Sequence, residues 1–251
     1  MESDYDQACY VFGDVVDRMF LPLITITNTY RYVSRAIDAA TPQIVLEDVD
    51  DFGAHAMDPR FIRYFTNRQE ILDRSYRQRV GGVVHGELQA AKRRVASSSL
   101  VFAHAVFEEC ISDCLRIAFL ASPKDWLPLV RAKKVSLCDI EDHGVSATQK
   151  DAIQSLIAVL ERDSILKKLD KFFEVTRPTE FRGRIADYEY SRARIEKMDR
   201  ARHTAAHDDP TAYDPELLKD DVDYMRLTLM YLLAILIEKY GVRNMLRPDN
   251  V

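Results

Sequence analysis

Apolar side chains recur every three or four positions along most of the chain, and the pattern is densest between Glu87 and Leu120. There Leu100, Ala103, Phe107, Ile111, Cys114, Leu115 and Ala118 fall on one face of a helix, while Glu109 and Arg116 turn away. No segment of useful length alternates with the period of two that a half-buried strand requires, so the pattern predicts an all-α protein. The first part, Tyr5 to about Ala40, reads as one or two helices interrupted at Pro22, followed by an acidic, irregular connection, TPQIVLEDVDDFGAHAMDP. A helix is expected from Pro59 to Arg79, and VGGVVHG, with Gly81, Gly82 and Gly86, is the clearest break. It divides the chain into an N-terminal helical extension, residues 1–82, and a helical domain, residues 83–251.

Further along, Ser122-Pro123 ends the long helix and a short one surrounds Trp126. Ser146 or Thr148 is a candidate cap for a helix running to about Arg162, and Ser164 for ILKKLDKFFEV, which Arg177-Pro178 ends. A helix from about Arg184 to Ala205 follows. The last one has Asp214 at its cap, Pro215 in its first turn and Gly241 at its stop.

Composition narrows the class. The chain has 251 residues, 47% apolar and 30% charged, which is ordinary for a folded globular protein. A formal net charge of −5 gives no global basic field, so any nucleic-acid contact must be local. The longest apolar run, Leu227 to Ile237 and broken only by Thr228, is far short of the ~20 residues of a membrane span. With no basic, apolar leader at the amino terminus, a cytoplasmic, non-membrane protein is expected. Cys9, Cys110, Cys114 and Cys138 are too scattered for a disulfide framework and are expected to be reduced.

The unusual stretch is RHTAAHDDP, starting at Arg202. With Ile195 as reference and ~100° per residue, Tyr188, Ser191, Met198, Asp199, Arg202 and Ala206 lie on the inward face, and Arg194, Lys197 and Arg200 point away. An inward guanidinium needs a carboxylate, a phosphate or carbonyls around it. On an unbroken helix His207 would stand ~140° around from Arg202. An end near Ala205 or Ala206, ahead of Pro210, is expected to let His207 curl back toward it.

Arg202-His203-Thr204-Ala205-Ala206-His207 resembles the R-x4-H form of the motif of the HEPN superfamily, helical proteins many of which are metal-independent ribonucleases. The motif ends the penultimate long helix and a strongly apolar helix follows. An earlier helix carries HAVFEECISDCLR, whose Phe107-Glu108 is similar to the aromatic–Glu pair of the polymorphic-toxin ribonuclease type. The resemblance covers roughly residues 85 to 245 and implies a HEPN-like helical bundle. His203 stands where the family usually has a small polar residue such as Asn.

What the resemblance implies is an endoribonuclease of a toxin or phage-defence system, working without a cofactor or metal in a groove between two protomers. A homodimer, RNA, and an antitoxin or regulatory protein are the partners it brings. In that scheme His207 is general base or acid, Arg202 stabilises the scissile phosphate, Glu108 orients Arg202 and His203 assists. Arg194, Lys197 and Arg200 are candidates for backbone contacts with RNA, against the plainer reading of a solvated charged face. An imidazole with an ordinary pKa of ~6.5 suits proton transfer from a ribose 2′-hydroxyl. A guanidinium suits charge building at phosphorus.

Other readings compete. Arg202 paired with Glu108 or Asp199 is a structural ion pair, which makes the protein a non-catalytic partner-binding or regulatory module. Cys110, Cys114 and His104 suggest zinc, but no second pair has matching spacing. DVDDFG superficially resembles a calcium loop, yet Phe52 and Pro59 stand where ligands belong. His207-Asp208 with His104 or His143 and Asp221 or Asp223 would suit a metal-dependent HD phosphohydrolase. The final helix has a second apolar face, Leu227, Tyr231, Ala234 and Ile237, open either to a second copy or to cover by the N-terminal extension.

Overall fold

A computed structural model describes residues 3–56, 69–130, 137–178 and 188–244, and every regular element among them is helical. The order is α1 (Asp4–Ala56), α2 (Gln69–Ala121), a 3-10 turn (Pro123–Trp126) leading into α3 (Leu127–Val130), and α4 (Leu137–Leu160). Then come α5 (Ile165–Thr176), α6 (Arg192–His207), a second 3-10 turn (Pro215–Leu217) and α7 (Leu218–Tyr240). The protein is all-α.

The helices are longer than their sequence punctuation suggests. α1 continues through Pro22 and through the segment expected to be irregular. A proline removes one helical hydrogen bond, the one to the carbonyl four residues back, and that loss is local. Ala8, Phe12, Val15, Met19 and Leu23 keep the helical spacing across it and are all buried, so packing holds the helix on both sides of Pro22. DVDDFG is helical as well, which removes the calcium loop. α2 runs without a break through Gly81, Gly82 and Gly86, because glycine only weakens a helix by roughly 1 kcal/mol relative to alanine. The expected start of the preceding helix at Pro59 lies outside the described residues. α4 begins at Leu137, so Ser146 and Thr148 are interior positions rather than caps.

Where true ends occur, backbone geometry marks them. Ser164 takes the position before α5 with extended backbone, although its hydroxyl makes no capping bond. Arg177 closes α5 in the left-handed region, φ 42°, and donates its N–H to the Phe173 carbonyl. The Asp214 carboxylate accepts the Glu216 N–H at 3.0 Å, as an N-cap does. Gly241, φ 67°, stops α7 with its N–H on the Ile237 carbonyl.

The chain forms two compact units. The first comprises Met1–Thr25, Phe102–Ala201 and Lys219–Val251. Its core takes the expected apolar face of α2, with Ala103, Phe107, Ile111, Cys114, Leu115 and Ala118 all buried. Leu169 and Phe172 of α5, Ile195 of α6 and Met225, Leu229 and Leu232 of α7 are buried too. Trp126 is buried with its ring edge-on to Phe119. Arg18 reaches both Glu109, at 2.8 Å, and the nearly buried Asp113.

The second unit comprises Ile26–Val101 and Arg202–Leu218. Lys92 of α2 donates to both carboxylate oxygens of Asp38 on α1, at 3.1 and 2.9 Å. Ala96, Ser97, Leu100, Ala205 and Tyr213 are buried. The Ser97 hydroxyl donates to the Pro210 carbonyl at 2.6 Å and holds the segment that follows α6 against α2.

Candidate functional site

The end of α6 carries the residues that the sequence singles out. The helix does not stop at Ala205 or Ala206. It continues through His207, and the Thr204 carbonyl accepts the N–H groups of both Asp208, at 3.0 Å, and Asp209, at 2.9 Å. Pro210 acts only after that closure, since a proline restricts the residue before it and leaves earlier turns free to form. The consequence is geometric. Arg202 and His207 stand ~140° apart around one unbroken helix, so within a chain they do not converge as the early end would have allowed.

The same regularity makes a pairing that the sequence reading did not single out. His203 and His207 are four residues apart and share a face. Both are exposed, and their ring centroids are 4.9 Å apart at an interplanar angle of 52°. The i, i+4 spacing is the signal of this pairing in the sequence. Arg202 is half-buried, whereas Ala206, expected on the same inward face, is exposed and Ala205 is buried in its place. Beyond the helix, the Asp209 carboxylate accepts bonds from the Thr211 hydroxyl and N–H, both 2.7 Å, which hold it below the ordinary carboxylate range.

The supporting residues have structural partners. Glu108 accepts a bond from the ammonium of Lys168 at 2.8 Å, an engagement other than the expected orienting of Arg202. Arg194 donates to the Asp220 carbonyl at 3.0 Å and lies 4.2 Å above the Tyr224 ring. Arg200 pairs with Glu196 one turn earlier at 3.2 Å. Lys197 is exposed. Arg194 is thus engaged with α7 rather than only solvated, and Arg200 makes an exposed pair within its own helix.

Elsewhere, His104 is buried on α2 with its Nε2 3.3 Å from Asp199 Oδ1. Cys110 and Cys114 are buried, and burial pushes the Cys110 thiol up to about 12 and raises Cys114 well above the ordinary thiol range, so both behave as inert core thiols. Among the described residues no group of three or more His, Cys, Asp or Glu side chains is placed to hold a metal ion, so neither the Cys110–Cys114–His104 set nor the HD-type set built on His104 forms a donor cluster there; His143 and Cys138 fall outside the described side chains. Phe173, Tyr188, Tyr190 and Tyr231 form a half-exposed aromatic cluster with adjoining ring centroids 4.9 to 6.5 Å apart. Burial, with the nearby Asp170 carboxylate, raises Tyr190 to about 12.

No known family, curated protein or solved structure matches the chain. No helix of the described residues is long and apolar enough to cross a membrane.

Proposed function

We propose that the protein is a metal-independent endoribonuclease whose proton-transfer groups are His203 and His207. The observation that carries this reading is the pair of exposed imidazoles, 4.9 Å apart, on the last turn of α6. RNA cleavage by attack of a ribose 2′-hydroxyl needs one group to take the proton and another to give one to the departing 5′-oxygen. Two neighbouring imidazoles are suited to those two tasks, and exposure lets a strand reach them. The bond formed joins the 2′-oxygen to phosphorus and the bond broken is to the 5′-oxygen. The products are a 2′,3′-cyclic phosphate and a 5′-hydroxyl end.

Charge building on the phosphate calls for a cation, and Arg202 is the candidate. Because the helix holds Arg202 ~140° from His207, the reading takes a dimeric form: the histidines of one copy and Arg202 of the partner subunit meet at one phosphate. The resemblance of the motif to HEPN ribonucleases supports such a groove as part of the proposal, which extends to a toxin or phage-defence setting with an antitoxin or regulatory protein as a further partner. Exposed Lys197 is the remaining candidate for a backbone contact.

A second reading, a non-catalytic partner-binding or regulatory helical module, is favoured by the internal engagement of Glu108, Arg194 and Arg200. Product chemistry separates the two. Incubation of RNA with the protein in EDTA, followed by end-group analysis, is expected to yield cyclic-phosphate termini, with a rate at least about a hundredfold lower for His203→Ala and for His207→Ala. Intact RNA with folded wild-type protein would support the binding module.

A further inference from the structure

We infer that His203 and His207 together form a binding site for a divalent transition-metal ion of the zinc, nickel and copper class. Three observations carry it. First, two imidazoles at i and i+4 on one helix face are the arrangement by which a helix presents a pair of nitrogen ligands to zinc. The rings are already neighbours, with centroids 4.9 Å apart and planes tilted by 52°, and both side chains are exposed. Rotation about their own bonds is enough to bring one nitrogen of each to the ~2.0–2.1 Å that zinc prefers.

Second, the backbone under the pair is fixed. The Thr204 carbonyl closes the helix by accepting from Asp208 and Asp209, and Ser97 holds the Pro210 carbonyl just beyond. The two ligands therefore keep their spacing before any ion arrives. Third, the site lies at a helix C-terminus, where unsatisfied carbonyls favour a cation, and exposed Asp208 adds a negative charge beside it.

Imidazole donors favour zinc, nickel and copper over magnesium and calcium. No third His, Cys, Asp or Glu joins the pair among the described residues, so water fills the other coordination positions. The binding stands on this geometry alone. Its consequence rests on the ribonuclease reading: an occupied pair has given its lone pairs to the ion and is withdrawn from proton transfer, so zinc inhibits the cleavage.

The test is calorimetric titration of the full chain with zinc chloride in a non-chelating buffer, with circular dichroism to verify folding of each variant. The expected result is one ion per chain. His203→Ala and His207→Ala each weaken binding about a hundredfold, the gain that a second tethered ligand contributes. The double variant His207→Ala with Asp208→His, which keeps the number of histidines but breaks the spacing, weakens it equally. His85→Ala, an exposed position on α2, leaves it unchanged. Absence of saturable binding below millimolar zinc, or wild-type affinity in the two single variants, overturns the site. Zinc binding without ribonuclease activity in EDTA would leave the site standing and reject the ribonuclease reading; cleavage without zinc binding would do the reverse.

Discussion

At the scale of single residues, the most exacting electrostatic arrangement is the Lys168 ammonium, 2% exposed and bonded to a Glu108 carboxylate that is 36% exposed. Removing one partner of such a pair leaves a charge that water cannot fully reach, and the open side of Glu108 moderates the cost. Glu108→Ala is expected to lower unfolding free energy by about 1–3 kcal/mol. Lys168→Met, which removes the buried charge and keeps the volume, is expected to cost less than Glu108→Ala. Urea denaturation of both variants checks the order; equal losses would mean that the packing of the lysine stem, and not its charge, carries the contribution. The inward placement of Arg202 was legible from periodicity alone. The partner of Glu108 was not, because Lys168 is sixty residues away on another helix and sequence spacing does not fix how two helices meet.

At the scale of elements, the glycines of α2 show why helix periodicity is legible and helix ends are less so. A methyl group added at Gly82 or Gly86 would meet no heavy atom within 4 Å, and both lie inside a continuous helix. Gly82→Ala and Gly86→Ala are each expected to raise stability by about 0.5–1 kcal/mol through the lower backbone entropy of the unfolded chain. Gly241→Ala is expected to lower it by about 1–2 kcal/mol, since φ +67° suits glycine and strains an L side chain. Denaturant midpoints that fell for Gly86→Ala would contradict a continuous α2. The same physics explains the expectations that failed. Pro22, Gly81 and the polar run after Ala40 are weak local signals, and in the first of these places buried apolar neighbours on both sides outweigh the break. Arg177 and Gly241, whose left-handed backbone cannot continue a helix, do end one, and both stops were legible.

At the scale of the whole molecule, the all-α class followed directly from the dominance of the helical period, and the described residues contain no strand. The side-chain grouping at the end of α6 did not follow. A helix that ended two residues earlier would have freed His207 to approach Arg202; the closure on Thr204 keeps it regular and pairs His207 with His203. The proposed groove between two copies is a consequence of that regularity. On α7, Ile237 is exposed and Leu227, Tyr231 and Ala234 are half-buried, so this face still carries apolar surface.

The shared groove is open to one decisive measurement: cleavage of RNA in EDTA by wild-type protein, Arg202→Ala, His207→Ala and an equal mixture of the two variants. The wild type is expected to cleave, each variant alone to be slower by about a hundredfold or more, and the mixture to recover about a quarter of the wild-type rate. That recovery arises because random pairing gives half of the dimers one intact groove out of two. A silent mixture beside an active wild type would place both groups in one chain, and His207→Ala cleaving as fast as the wild type would contradict the account at its root.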